Sequence, residues 1–262
     1  MRFLGKYWAF ARIAARHALS ERGELYGRMA FFAVVLGVFS ALWRAVAEAG
    51  MPIATEPGRL VWYLAATEWI VLSVPQLHVE IQEDVRRGDI AYHLPRPVSY
   101  VGSMLAQAAG TLSVRLPIMA LTACVCAYLF TGRAPPLAAL LTFAVFAVAA
   151  TLLASALYVG IGLLAFWLSD VSPIYWVVQK ALFVLGGMML PLELYPRWLQ
   201  SVAHFTPFPA LLAGPAQLVL RASAPGEVLV LAARLGAWSV FVAMLLWFVF
   251  RRASRSLQVS GG

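Results

Sequence analysis

Residues 80–100, EIQEDVRRGDIAYHLPRPVSY, gather Glu80, Glu83, Asp84, Arg86, Arg87, Asp89 and Arg96 in a chain that is otherwise almost entirely apolar. Both signs of charge are present, which separates this stretch from a purely basic anchor for anionic lipid. Ile81, Val85 and Ile90 thread apolar residues through it. A short helix would bring Glu83, Arg86, Arg87 and Ile90 together at i, i+3 and i+4 spacing. Pro95 and Pro97 are expected to end that helix, because the residue before a proline is pushed to extended geometry. Long apolar runs flank the stretch on both sides. It therefore reads as a polar foot standing outside a membrane-embedded body. Two uses stay open: a surface shaped for another protein, or a solvated loop whose charges serve solubility.

The flanks decide the fold class. Of 262 residues, 62% are hydrophobic and 12% charged. A soluble domain carries about a quarter of its residues as charged. The composition predicts an all-α polytopic membrane protein with one membrane domain over residues 1–262. Arg2, Lys6, Arg12 and Arg16 interrupt the first segment, so no cleavable signal peptide is expected and the first span acts as the insertion signal. A net charge of +8 would suggest nucleic acid in a soluble chain. Here the position of the basic residues explains it, and no nucleic-acid partner is expected. Cys124 and Cys126 lie two apart in an apolar run, pointing different ways on a helix, and are expected to be packing residues.

Residues 1–26 alternate cations with Tyr7, Trp8, Phe10 and alanines, which fits an amphipathic helix at the membrane surface. Six spans follow, at about 29–47, 60–79, 101–130, 137 onward, 174–190 and 228–250. Pro75 is expected to kink the second, and Pro117 lies inside the third. Met51, Pro52, Pro57 and Gly58 make the first outer loop. The fourth run meets no charge until Asp170, longer than the roughly 20 residues a bilayer requires. In 191–227, prolines divide apolar sequence into pieces near 197–205 and 210–221. Each is too short to cross, so two short external re-entrant helices are expected.

Sidedness follows the cations. One set of segments holds Arg2, Lys6, Arg12, Arg16, Arg22, Arg28, Arg86, Arg87, Arg96, Arg251, Arg252 and Arg255, and the opposite set only Arg44, Arg59, Arg133, Arg197 and Arg221. The richer side is the cytoplasm, so both termini and the foot are expected there. The Trp–Tyr pairs Tyr7–Trp8, Trp62–Tyr63, Tyr175–Trp176 and Tyr195–Trp198 read as an aromatic belt at the interfaces.

No GxxxxGK[ST] phosphate loop occurs, so the chain is not expected to hydrolyse ATP itself. HExxH, CxxC and GxSxG are also missing, and His17, His78, His93 and His204 are scattered. No catalytic residue, bound cofactor or metal site is expected in this chain. Charges inside spans carry more information, since a charge in hydrocarbon is costly and marks a pathway or a structural pair. Glu68, Arg115 and Arg234 are expected in the outer half, with Glu68 paired to Arg115 or Arg234. The pair would hold helices together, or line a substrate cavity or gate. Lys180 is expected to snorkel.

These features resemble the membrane subunit of ATP-binding-cassette exporters of the type-2 permease group, over nearly the whole chain. One motif is G-x-[IL]…L-x-[RK]-P, present as Gly88, Ile90, Leu94, Arg96 and Pro97. Another is the external P…YP…PF…P, present as Pro191, Tyr195, Pro196, Pro207, Phe208 and Pro215. The basic start, six spans and a terminal Gly261 and Gly262 complete the pattern. The resemblance implies an N-terminal elbow helix and a coupling segment at 80–100 in which Glu83, Asp84, Arg86, Arg87, Gly88, Asp89 and Ile90 meet a cytoplasmic ATPase. It implies two ATPase copies holding ATP and Mg²⁺, a second permease, identical or homologous, and a place among the lipids of a bacterial plasma membrane. The rivals are a secondary transporter or channel without an ATPase, a membrane enzyme, and a membrane assembly scaffold. A secondary transporter would be expected to show repeated halves with broken helices meeting at the midplane. No such repeat is visible. Substrate class is not legible, since residues suited to lipids or amphiphilic drugs also simply face acyl chains.

Overall fold

The computed structural model describes residues 2–50, 56–93, 98–220 and 224–260. Met51, Pro52, Leu94, Pro95, Arg96, Pro97, Arg221, Gly261 and Gly262 lie outside the described residues. Among those described, every regular element is helical. Helix α1 (Arg2–Ser20) is separated from α2 (Arg22–Glu48) by a single non-helical residue, Glu21. Helix α3 (Pro57–Ser73) starts on a proline, whose missing N–H costs nothing in a first turn.

The break expected at Pro75 is present: Val74 is extended, and α4 (Leu77–Arg87) starts anew. The end of α4 corrects an expectation. Gly88, at φ +75°, stops it, upstream of the proline pair. A single turn, α5 (Ile90–His93), follows. Helix α6 (Tyr100–Thr131) begins where the Ser99 hydroxyl accepts from the Gly102 N–H at 3.3 Å. Helix α7 (Leu137–Leu163) tightens into a last 3₁₀ turn, Leu164–Phe166. Then come α8 (Ser172–Leu185), α9 (Arg197–His204), α10 (Phe208–Leu211), α11 (Ala213–Leu220) and α12 (Pro225–Ser260).

Five stretches are long and apolar enough to cross a membrane: Arg22–Glu48, Pro57–Arg87, Tyr100–Thr131, Leu137–Phe166 and Pro225–Ala253. The protein is a multi-pass membrane protein. The span expected at 174–190 differs. Its helix, α8, has 14 residues, about 21 Å of rise against the roughly 30 Å of a hydrocarbon core. Gly186 and Gly187 end it, with Gly187 at φ +66°. Beyond them the carbonyls of Gly187 and Met188 accept hydrogen bonds from the Tyr63 and Thr67 hydroxyls at 2.6 and 2.7 Å. Non-helical backbone is tolerated at membrane depth when protein groups satisfy it in this way. The proline-rich pieces expected near 197–205 and 210–221 are helical, as α9 and as α10 with α11.

Helix α3 is the axis of the bundle, buried without interruption from Leu60 to Ile70. It packs on α2, α6 and α11. Trp69 Nε1 donates to the Leu116 carbonyl at 2.9 Å, and Trp62 Nε1 to that of Arg133 at 2.9 Å. Trp62, Tyr63 and Tyr175 are therefore interior residues and not part of an interfacial belt. Trp8, Trp176 and Trp198 do face outward. Two contacts are at backbone distance. A Cβ on Gly110 of α6 would sit 2.0 Å from the Ala11 carbonyl oxygen of α1, and one on Gly162 of α7 would sit 2.8 Å from the Ile81 Cβ of α4.

Candidate functional site

Helix α4 has two faces of different chemistry. Leu77, His78, Ile81 and Gln82 are buried, a spacing of one helical face. The Gly162 approach lets α4 lie against α7. Polar atoms then fix its register. Gln82 Oε1 accepts from the Val171 N–H at 2.7 Å. The Arg86 guanidinium donates to the Ser169 carbonyl through Nε at 2.9 Å and also through Nη2. Tyr100 at the start of α6 donates its hydroxyl to Asp84 Oδ2 at 2.7 Å. Near its start, the His78 ring stacks on Tyr175 of α8 at 3.8 Å and meets Tyr158 of α7 edge-on at 5.9 Å. Helix α4 is thus tied to α6, α7, α8 and the turn at 167–171.

The opposite face is open. Glu83 and Arg87 form an exposed ion pair at 3.0 Å. Arg86 and Gly88 are exposed, Asp84 and Asp89 half-buried, and Ile90 buried. Tyr92, Trp167 and Leu168 are exposed nearby in sequence or across the Arg86–Ser169 link. In the adjoining turn Asp170 accepts from the Ser172 N–H at 3.0 Å and the Ser172 hydroxyl at 2.8 Å, and these bonds hold its carboxyl below the ordinary range. The surface thus carries both signs of charge beside exposed aromatic and aliphatic side chains.

Of the seven coupling residues read from sequence, the structure joins Glu83 to Arg87, Asp84 to Tyr100 and Arg86 to Ser169. Sequence reasoning passed over His78, Gln82, Tyr100 and the 167–171 turn. One signal was available. His78, Ile81, Gln82 and Val85 share a helical face, so polar groups on it require partners within the protein.

The intramembrane charges are arranged differently from expectation. Arg115 does not pair with Glu68. Its Nη2 donates to Glu24 Oε2 at 2.7 Å. Glu24 also accepts on Oε1 from Arg28, at 3.0 Å from Nε and 2.7 Å from Nη2. Arg28 in turn donates through Nη1 to the Leu72 carbonyl at 2.6 Å. That carbonyl lies in the last turn of α3, where the break at Pro75 leaves acceptors without helical donors. The Glu24 cluster therefore ties the start of α2 and the middle of α6 to the α3–α4 break. It borders a polar cavity of 370 Å³ that Glu21, Gln76, Glu80 and Thr111 also line. Glu68, only 3% exposed, has no ion pair among the described residues, and its Oε2 has no hydrogen-bond partner there. Arg234 is exposed on α12, beside a cavity of 500 Å³ that Gln217 and Glu227 share. Lys180 lies over the rings of Trp176 and Phe183 at 5.6 and 5.1 Å, a cation–π arrangement.

A comparison with curated proteins finds no match. Comparison with protein families is decisive, because residues 64–261 match the family described as ABC-2 family transporter protein. The match covers α3 from Leu64 onward, the α4 surface and everything after it. With five membrane-crossing stretches on the same chain, this protein belongs to the ABC-2 transporter family.

Proposed function

We propose that the chain is the permease subunit of an ATP-driven exporter, forming the substrate pathway with a second permease. A separate ATPase, in two copies, docks on the open face of α4 and on the turn at 167–171, and holds the ATP and Mg²⁺. Six crossings, with α8 and the residues after it as the fifth, place both termini and α4 on the cytoplasmic side of a bacterial plasma membrane. Helices α9 to α11 are then the external re-entrant segment and α1 the elbow. Glu68, Arg115 and Arg234 are the polar groups nearest a gate or pathway.

The two-faced construction of α4 is the observation that carries this reading. Its inner face is bonded to α6 and to the turn before α8, so a push on its outer face moves several helices together. ATP-driven closure of the ATPase pair would select one of two arrangements of the permeases through that contact. The membrane-scaffold rival gives no reason for an open charged face rigidly tied to the crossings.

The test is recovery of an ATP-hydrolysing subunit with the tagged full-length chain from its native membrane. A double exchange, Glu83→Arg with Arg87→Glu, keeps an ion pair within α4 while reversing the charges a partner meets. It should leave the permease folded and strongly reduce the ATPase recovered. Recovery of no ATPase with the unaltered chain, or equal recovery with the exchanged one, would remove the proposal.

A further inference from the structure

The Glu24 cluster leaves Arg115 only partly satisfied. Of its three guanidinium nitrogens, Nη2 donates to Glu24, while Nε and Nη1 are buried without a hydrogen-bond partner among the described residues. Buried donors left this way are costly and call for an acceptor. Arg115 lines the cavity of 370 Å³, and Val79 and Glu80 at the start of α4 line it too. Glu80 is exposed. The charge of Arg115 acts on its carboxylate through space, against those of Asp84 and Glu21, and no ion pair joins the two. A carboxylate short of a cation thus shares a cavity with a cation short of acceptors.

The two meet only if α4 moves, and its start is built to move. Val74 is extended and Pro75 brings no N–H, so the helical ladder is broken between α3 and α4. Pro75 and Gln76 themselves border the cavity. Helix α4 packs chiefly on α7. Its bond to α6, from Tyr100 to Asp84, lies in its second half. Between the start of α4 and Thr111 and Arg115 of α6 there is open space instead of packed side chains. A few residues at the end of an element, beside room to move into, are the form that hinges take.

We propose that Arg115 is a latch for α4. In the arrangement seen here it holds α2 through Glu24. When α4 swings about residues 74–76 toward α6, Glu80 crosses the cavity and accepts from Nε and Nη1, while Nη2 keeps Glu24. The cavity closes, every guanidinium nitrogen has a charged acceptor, and α2, α4 and α6 are joined at one side chain. The ATPase on the outer face of α4 drives the swing, so the inference rests on the function proposed above.

The experiment is disulfide trapping in proteoliposomes that hold the tagged full chain with the ATPase it retains. Cys124→Ser and Cys126→Ser remove the native thiols, and Val79→Cys with Thr111→Cys puts one thiol on each wall of the cavity. A disulfide requires Cα atoms within about 7 Å, so its rate of formation reads closure. ATP with vanadate should raise that rate by about tenfold, the scale of a typical coupling between two sites. Glu80→Gln should return it to the nucleotide-free rate, and Glu80→Asp should keep most of the increase, since a charged acceptor remains. Gln76→Cys with Thr111→Cys is a second pair, read in the same way if the first does not fold. Full acceleration in Glu80→Gln would overturn the latch, because the swing would then need no ion pair. So would equal rates with and without nucleotide while the same proteoliposomes hydrolyse ATP, and the docking reading would then stand without the latch. A chain that retains no ATPase would remove the docking reading and the latch together.

Discussion

Helix α12 is a more apolar crossing than α3 with α4, yet far less of it is buried inside the protein. In a soluble protein the order would be reversed, since apolar side chains fill the interior. Lipid tails are as apolar as leucine, so hydrophobicity gives a membrane helix no reason to prefer the inside. Helix α12 accordingly presents Leu229, Val230, Phe241, Met244 and Phe248 outward. Helix α3 takes the centre with Tyr63, Thr67, Glu68 and Ser73, groups that only protein can satisfy. Greasiness here marks the rim, and polarity marks the axis.

The sharpest way to break this contrast is to add one methyl group at each place. On the interior side, Gly110→Ala would drive a Cβ into the Ala11 carbonyl. It should lower stability by about 3 kcal/mol, read as the unfolding midpoint in detergent. On α12, a Cβ at Gly236 meets nothing within 4 Å. Gly236→Ala should change stability by no more than about 1 kcal/mol, in the stabilising direction. Equal losses at the two glycines would show that α12 is packed against something that confines it.

Next in size is a comparison of two carboxylates. Glu24 is held by two arginines, and Glu68 has no charged partner among the described residues. Glu24→Met should cost about 2 kcal/mol, because it strands the guanidinium of Arg115, which is 6% exposed. Glu68→Met removes an unsatisfied group and should not lower stability. Equal losses would mean that Glu68 has a structural partner. Loss of transport with stability kept would place Glu68 on the pathway.

A smaller effect separates two threonines. Thr67 reaches across to the Met188 carbonyl, whereas half-buried Thr142 bonds back within its own helix to Ala138. Thr67→Val should cost about 1 kcal/mol and loosen the turn after α8. Thr142→Val should stay within about 0.5 kcal/mol.

What could be read from sequence follows the same division. Five of the six expected crossings, the break at Pro75 and the helical pieces between prolines were legible, because periodicity, length and missing N–H groups are local properties. The partner of Arg115 was not. Glu24 lies 91 residues away, at the edge of a segment read as a surface helix, while Glu68 offered itself inside a span. The end of α8 at Gly186 was hidden in continuous apolar sequence, since the groups that satisfy the unwound backbone sit on α3. Tyr175 looked like a belt residue until His78 was found stacked on it. The open face of α4 was half legible: its charges were visible, but the turn at 167–171 joins them only through Arg86 and Gln82.

The smallest expected effect lies in that turn, outside the crossings. Hydrogen bonds from the Ser172 N–H and hydroxyl lower the folded-state pKa of Asp170. A lowered pKa means that the contribution is complete above the ordinary carboxylate value of about 3.9. It is lost only as pH falls through the lower, folded value. Protection of the Ser172 amide against hydrogen exchange should therefore be flat from neutral pH down to mild acid and fall below it. Asp170→Asn keeps an acceptor and should abolish the fall. Because Asp170 is fully exposed, solvent screens its charge and the change should stay within the first turn of α8. A pH effect that reached the buried hydroxyls of α3 would show that the turn and the axis move as one body. That outcome would extend the rigid link from α4 and its turn to the centre of the bundle.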